Sequence, residues 1–174
     1  MAAQEPVAES MLTAEGATPT PWAEALTRLE NPQGEITHWL ATVRPDGRPH
    51  VVPVGAVWVD GAMYFTTGQG TQKEKNVAHN PHCVISFANQ GFDLMVEGEA
   101  ARVTDDETLA RLAERYNAHG WPATVGEGAL DAPFSAPTTG PAPYNVYKVT
   151  PAIVFGLGTT EGTWEHPTRW RFDR

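Results

Sequence analysis

The first half of the sequence alternates three apolar runs rich in β-forming residues with two turn signals. Runs 36–43 and 48–59 flank Arg44-Pro45-Asp46-Gly47, where proline and glycine suit a reverse turn. Run 62–66 follows Asp60-Gly61, a two-residue hairpin signal of the primed type. Strands joined by such short turns pair antiparallel, so the pattern predicts a meander and not a βαβ unit.

The remaining periodic segments complete the predicted fold. Further strands are predicted at residues 83–88, 91–103, 146–157 and 162–174. Helices are predicted at residues 22–30, from Lys73 to Asn80, and from a capping Thr104 to Gly120. Six or seven antiparallel strands with two or three short helices predict a mainly β (α+β) protein built on a small barrel. Prolines and Gly55 within run 48–59 indicate a sheet edge, a bulge or a close approach to the backbone.

Composition limits the domain count and the partners. Residues 1–21 contain three glutamates, no lysine or arginine and four prolines or glycines, which predicts a disordered acidic tail before a single domain at 22–174. The net charge is −9 and no basic stripe is visible, so no nucleic-acid partner is expected. No apolar run approaches the roughly 20 residues that span a bilayer, and the N-terminus lacks signal-peptide features. We therefore expect a cytoplasmic protein without a membrane partner.

Residues 66–81 (TTGQGTQKEKNVAHNP) are the first segment that suggests a ligand site. A strand that breaks into a Gly/Thr turn and then starts a helix offers free backbone N–H groups to an anion. Lys73 and Asn76 lie three residues apart and share one helix face. The segment is not a Walker loop, and an ordinary strand–helix connection with solvated lysines remains the alternative.

The sequence contains no constellation for acid–base, covalent or metal catalysis. Pro81 separates His79 from His82, and no third ligand is adjacent, so we expect no metal site. Cys83 lies in an apolar run, where a thiol is typically a small core residue. With no predicted catalytic side chain, any chemistry must come from a bound cofactor.

Two other segments carry aromatic residues that suit a binding site. Residues 121–145 hold five prolines and three glycines, and form either a lid or rim over a binding site or a plain surface excursion. Residues 168–172 (TRWRF) place a tryptophan beside arginines, which suits a ring system with an anionic group. The alternative for this segment is an edge strand whose tryptophan packs and whose arginines are solvated.

Six ordered segments resemble a known family. They are residues 38–54 (HWLATVRPDGRPHVVPV), 70–81 (GTQKEKNVAHNP), 83–88 (CVISFA), 96–103 (VEGEAARV), 146–158 (VYKVTPAIVFGLG) and 168–172 (TRWRF). Over residues 22–172 the chain resembles the pyridoxamine 5′-phosphate oxidase-like, FMN-binding split β-barrel superfamily, specifically its flavin/deazaflavin oxidoreductase branch. The resemblance implies a homodimer with FMN or coenzyme F420 in a groove between the subunits.

The resemblance also implies roles for individual residues. Those matching the phosphate-binding strand–helix turn are Thr66, Thr67, Thr71, Lys73, Lys75 and Asn76. Those matching the strand whose backbone lies along the cofactor ring are His50, Val51, Val52, Pro53 and Val54. Trp170 and Arg171 match a C-terminal segment that reaches the cofactor, typically that of the partner subunit. The ending TRWRFDR differs from that of true pyridoxamine-phosphate oxidases, so oxidation of a B6 vitamer is not expected.

These implications lead to a functional expectation with two alternatives. The expected activity is an oxidoreductase that transfers a hydride between F420 or FMN and a small unsaturated organic substrate, with Trp170 and residues 121–145 shaping the substrate side. The first alternative is a protein that binds or carries a flavin, a deazaflavin or haem without turnover. The second is an interaction protein whose barrel dimer serves as a scaffold.

Overall fold

The computed structural model describes residues 5–12, 18–89, 91–161 and 166–173. The helices are α1 (Trp22–Glu30), α2 (Gln72–His79) and α3 (Asp106–Ala118). The strands are β1 (Val7–Ser10), β2 (His38–Val43), β3 (Pro49–Val54), β4 (Ala56–Val59), β5 (Ala62–Gly68), β6 (His82–Ala88), β7 (Phe92–Val103), β8 (Thr124–Val125), β9 (Leu130–Asp131), β10 (Tyr144–Gly158) and β11 (Thr168–Arg171). Part of the strand predicted at 162–174 lies outside the described residues.

All pairings in the described sheet are antiparallel, and β10 pairs with four other strands. The main path runs β1-β11-β10-β7-β6-β2-β3, and β10 also pairs with β5, which in turn pairs with β4. Because β10 is 15 residues long, two strands pair with different parts of it. Strand β5 pairs with Tyr144 to Val149, and β11 pairs with Ile153 to Gly156. The predicted mainly β split barrel with short helices is confirmed. The described sheet exceeds six or seven strands because short strands join it.

The predicted interruption of run 48–59 is a break at Gly55. The carbonyl of Gly55 accepts a hydrogen bond from the Thr66 amide at 3.3 Å and from the Tyr116 hydroxyl at 3.2 Å. These two bonds hold the chain where β3 ends and β4 begins. As a result β3 lies at the edge of the sheet, and β4 turns away to pair with β5.

The structure confirms one local prediction, the turn at Asp60-Gly61, and changes another, the cap of α3. Asp60 and Gly61 have φ angles of 48° and 77°, so the primed hairpin turn between β4 and β5 is confirmed. The cap of α3 is Asp105 instead of Thr104, because the Asp105 carboxylate accepts a hydrogen bond from the Thr108 amide at 2.9 Å.

The prediction of a disordered tail over residues 1–21 is wrong for Val7–Ser10. These residues form β1, which pairs with β11 from Val7 opposite Arg171 to Ser10 opposite Thr168. The Glu9 carboxylate accepts hydrogen bonds from Arg169 at 3.0 Å and from Arg171 at 3.1 Å. A strand that carries a glutamate thus pairs with a strand that carries two arginines. Local composition does not reveal this match of charges, because the two strands are far apart in the sequence.

The core has two parts. The larger part joins α1 to β2, β5, β6, β7 and β11, and its fully buried members include Leu40, Phe65 and Trp170. The smaller part lies under α3 and includes Leu112 and Val146. Cys83 belongs to the larger part, which confirms its prediction as a core residue. Among the described residues, no helix is long and apolar enough to cross a membrane.

His38 on β2 makes stability depend on pH. Its ring lies 4.8 Å from that of Phe87, and burial together with the nearby His119 lowers the pKa of His38 to about 4. Below the ordinary pKa near 6.5, the His38 imidazole binds a proton in the unfolded chain but stays neutral in the folded chain until the pH nears 4. Stability is therefore lost as pH falls from about 6.5 toward 4.

We expect urea unfolding at pH 5 to give a free energy of unfolding about 1–2 kcal/mol lower than at pH 7.5 through His38 alone. His38→Gln should remove most of that difference, whereas the exposed His79→Gln should retain it. An unchanged pH dependence in His38→Gln would contradict this account.

Candidate functional site

A surface cleft of about 380 Å³ lies where the end of β3 faces the start of α2. Strand β5, helix α3 and the loop after α3 complete its walls. Its lining residues are Ile36, Thr37, Pro53, Val54, Gly55, Thr66, Lys73, Tyr116, Trp121, Phe134, Ser135, Ala136 and Thr139. The cleft therefore brings together four of the residues predicted from the sequence, namely Pro53, Val54, Thr66 and Lys73.

Lys73 is the cationic side chain of the cleft. It lies in the first turn of α2 and is partly buried; desolvation lowers its pKa, and the neighbouring Glu74 opposes that shift. Within the described part of the chain, no ion pair involves Lys73. A partly desolvated ammonium that forms no ion pair is stabilised by an anionic ligand.

Other positive groups lie close to Lys73. The pKa of His50 is lowered by burial and by the charges of Arg44 and Lys73. His50 Nδ1 also lies 3.5 Å from Thr42 Oγ1. Two basic side chains, Arg44 and Lys73, therefore lie near this imidazole in a protein whose net charge is −9.

Glu74 fixes the turn that leads into α2. Its carboxylate accepts hydrogen bonds from the Gly70 amide, from Asn145 Nδ2 and from the Tyr147 hydroxyl. The expectation of a free backbone N–H is therefore wrong for Gly70. Thr71, at the N-cap of α2, makes no side-chain hydrogen bond to the first turn, so it leaves the amides of that turn uncapped.

Two predicted phosphate ligands have structural roles instead. Asn76 is fully buried; its Nδ2 donates to Thr42 Oγ1 at 2.9 Å and its Oδ1 accepts from Gln72 at 2.7 Å. Thr67 is also fully buried, and its hydroxyl lies 2.7 Å from that of Thr71. Because these groups face other protein atoms, they position the turn and do not contact a ligand in the cleft.

Five more of the residues predicted to bind the cofactor do not border the cleft. Val51 is exposed on the outer sheet face, and Lys75 is exposed on α2. Neither residue borders the cleft, nor do His50, Val52 or Thr71.

The C-terminal expectation needs a correction for Trp170. Its side chain is completely buried, its ring lies 5.6 Å from that of Trp22, and its Nε1 donates to the Thr20 carbonyl at 3.0 Å. A tryptophan held in the core cannot contact a cofactor at the surface. Arg171 is partly exposed on β11 and hydrogen-bonds to Glu9, so its predicted contact with a partner's cofactor stays a prediction.

Sequence reasoning missed Tyr116 and only partly anticipated the loop. Tyr116 belongs to the apolar stripe of α3; burial raises the pKa of its hydroxyl, which is therefore a neutral donor. Trp121 borders the cleft and donates its Nε1 to the Phe134 carbonyl at 2.7 Å. The loop also crosses directly over β5, because a Cβ on Gly68 would lie 1.8 Å from the Thr139 carbonyl oxygen. Residues 134–136 and 139 thus form a rim of the cleft, as the lid-or-rim alternative predicts.

The cleft offers binding groups and few reactive ones. None of its lining residues is a histidine, a cysteine or a carboxylic acid. Its polar groups are Lys73, hydroxyls and main chain, and its other walls are apolar or aromatic. Such a surface can hold an anionic group beside a planar ring, and it supplies no nucleophile other than lysine and hydroxyl groups.

Comparison with known proteins identifies the family. The family model described as pyridoxamine 5′-phosphate oxidase matches residues 27–156, so the chain belongs to this family. No curated protein matches the sequence.

Solved structures share the fold at low identity. A structure described as an F420 reductase is 28% identical with a TM-score of 0.51, covering 74% of this chain and 93% of that one. General Stress Protein 26 from Bacillus anthracis is 22% identical with a TM-score of 0.53, covering 78% and 92%. A putative pyridoxamine 5′-phosphate oxidase from Listeria innocua is 20% identical with a TM-score of 0.54, covering 76% and 94%.

We expect Asn76→Ala to lower the free energy of unfolding by about 1–3 kcal/mol, because it removes both hydrogen bonds of a fully buried side chain, one to Thr42 and one to Gln72. Chemical denaturation measures this loss. The exposed Lys75→Ala on the same helix is the matched control and should change stability by less than about 0.5 kcal/mol. Equal stability of the two variants would show that Asn76 does not anchor α2.

Proposed function

We propose that the protein is an oxidoreductase that binds F420 or FMN in the cleft and transfers a hydride between that cofactor and a small unsaturated organic substrate. Membership of the pyridoxamine 5′-phosphate oxidase family and the likeness to an F420 reductase support a flavin-type cofactor. The observation that carries the proposal is the partly buried Lys73, which has no ion pair among the described residues and lies beside the edge strand β3.

The residues present fit such a cofactor. Lys73 and the uncapped first turn of α2 would hold the phosphate, since both favour an anion. Pro53 and Val54 offer an apolar wall to the ring, and the edge position of β3 leaves backbone groups for its polar rim. When bound, the cofactor would supply the hydride chemistry. The protein binds and orients the reactants, and the rim at 134–139 limits access of water.

We expect Lys73→Ala to weaken binding of FMN, F420 or both by about 10- to 100-fold, because a hydrogen bond to a charged group contributes about 1.5–3 kcal/mol. Fluorescence titration of the full chain at constant salt concentration measures both affinities. Lys75→Ala removes the same charge from the same helix outside the cleft and should change them less than about 3-fold. Unchanged cofactor binding in Lys73→Ala, or equal losses in both variants, would contradict the proposed site.

Binding without turnover is a second candidate. The cleft lining has no carboxylic acid, histidine or cysteine, and this suits binding alone as well as chemistry supplied by a cofactor. Steady-state oxidation of reduced FMN or F420 with a panel of quinones and enones separates the two functions. Turnover above that of the free cofactor supports the enzyme, and tight binding without turnover supports a carrier.

We also propose that the protein is a homodimer, and the outer face of the sheet supports it. Trp39 is 46% exposed and Val51 is 55% exposed on β2 and β3, which are paired strands. An apolar groove of about 450 Å³ continues from these strands along Val84 and Ile153. Contiguous apolar surface of this kind is typical of protein interfaces. The cytoplasmic location stays a prediction.

We expect Trp39→Glu to shift the protein toward monomer in analytical ultracentrifugation, because a charge would be buried in the proposed interface. Val125→Glu, which also places a carboxylate at an exposed apolar residue but on β8, is the control and should leave the association unchanged. A wild-type protein that is monomeric at micromolar concentration would rule out this dimer.

A further inference from the structure

The rim of the cleft, residues 134–139, crosses β5 at a point where the strand has no side chain. A Cβ on Gly68 would lie 1.8 Å from the Thr139 carbonyl oxygen and 2.9 Å from the Thr139 carbonyl carbon. Both are main-chain atoms, so no change of side-chain rotamer would make room for a methyl group. Any residue larger than glycine at position 68 would therefore push the backbone of the rim away from β5.

The backbone conformation of Gly68 gives no other reason for a glycine. Gly68 pairs with Tyr144 in the ladder between β5 and β10, and its φ lies outside the positive range that favours glycine. Glycine within a strand weakens the strand and often marks a place where another backbone approaches closely. Position 68 is such a place, and the approaching backbone is that of the rim.

Trp121 holds the other end of the rim. Its Nε1 donates a hydrogen bond to the Phe134 carbonyl at 2.7 Å. Its ring lies 5.2 Å from that of Tyr116 on α3 and 5.5 Å from that of Tyr144 on β10, so the indole is itself positioned by two elements. The rim therefore has two anchors, a hydrogen bond at its first residue and close packing against β5 at its last.

The main chain of the rim, and not a buried side chain, holds it in place. The Thr139 amide donates to the Ala136 carbonyl at 2.8 Å, which closes a turn within the rim. Phe134 is the largest side chain of the rim, and it is 55% exposed. Since Phe134, Ser135 and Ala136 line the cleft, the two anchors decide how wide the cleft is on this side.

We propose that Gly68 and Trp121 are positioning residues that hold residues 134–139 as a fixed wall of the cleft, and that these residues are not a lid that closes over a ligand. A wall that is in place before binding costs no ordering free energy when the ligand enters. The proposal rests on the proposed function only for the identity of the ligand, because the position of the rim can be measured without one.

Hydrogen exchange of the ligand-free wild-type protein tests whether the rim is fixed. The Thr139 amide and the Trp121 indole N–H are the two rim protons, since each is bonded to a carbonyl of the rim. Such protons exchange when the segment opens locally. We expect NMR to show both exchanging at least about 10-fold more slowly than in an unstructured peptide. A lid that is open without ligand would give rates close to those of the peptide.

The variant Gly68→Ala tests the anchor on β5. We expect it to speed the exchange of both rim protons by at least about 5-fold, because the added methyl group separates the rim from β5. Gly156→Ala is the matched control, since its Cβ would lie 2.6 Å from ring atoms of Phe92 and Trp170 in the core, and Gly156 does not line the cleft. It introduces a comparable close contact elsewhere and should change the rim protons by less than about 2-fold.

The second anchor and a bound cofactor give an independent measurement. Trp121→Phe keeps an aromatic ring and removes the N–H, so it loses one hydrogen bond to the rim. With FMN or F420, whichever the wild-type protein binds, Gly68→Ala and Trp121→Phe should each raise the dissociation rate constant by about 3- to 10-fold in stopped-flow displacement. Gly156→Ala should change it by less than about 2-fold.

Four results would overturn the proposal: peptide-like exchange of the rim protons in the wild-type protein, unchanged exchange in folded Gly68→Ala, equal effects of Gly68→Ala and Gly156→Ala, or unchanged cofactor dissociation in both Gly68→Ala and Trp121→Phe. The first needs no variant, so it stands even if a substitution prevents folding. A protected rim in a protein that binds neither FMN nor F420 would leave the wall established and contradict the proposed function. Cofactor binding with an unprotected rim would do the opposite.

Discussion

The hydrogen bond between Asn76 and Thr42 is the interaction on which the geometry of the cleft depends. It joins α2 to β2 across the interior, between residues 34 positions apart. Both residues are buried, so losing Thr42 would leave the Asn76 Nδ2 group in the interior without its hydrogen-bond acceptor. Because Lys73 lies one helical turn before Asn76, this bond also fixes where the ammonium of Lys73 is placed. An interior contact thus determines the position of a charge at the surface.

Gly55 has the corresponding role on the opposite wall. Its carbonyl is held by the amide of Thr66 and the hydroxyl of Tyr116, which come from β5 and α3. The break leaves β3 as an edge strand, and Gly55 itself lines the cleft. One interruption of a strand therefore produces a free backbone edge beside the candidate site.

Local signals in the sequence predicted the fold well. Asp60-Gly61 predicted a primed turn, and residues 22–30 form the predicted helix. For run 48–59 the prolines and Gly55 predicted an edge, a bulge or a close approach to the backbone, and β3 lies at the edge. Predictions failed where the structure depends on contacts between distant residues. Pairing of β1 with β11 links positions about 160 residues apart, and no local pattern indicates it.

The candidate site was also predicted only in part, because its geometry too depends on contacts between distant residues. Pro53, Val54, Thr66 and Lys73 were identified as members of a family motif, and the fold brings them to one cleft. Burial separates the residues that hold this arrangement from those that face a ligand, and a sequence motif does not distinguish them. Asn76 and Thr67 belong to the first kind, and so does Trp170, whose packing against Trp22 needs the complete tertiary structure.

The position of Trp170 has a consequence for folding during synthesis. It is the largest fully buried side chain of the described core, yet it lies on the last strand. A growing chain that has reached only β10 lacks this ring, and its partner Trp22 has no indole of β11 to pack against. Contacts that span nearly the whole sequence form slowly because a long loop must close first. The contact between Trp22 and Trp170 can therefore form only after β11 has been synthesised, and until then Trp22 lacks this part of its packing.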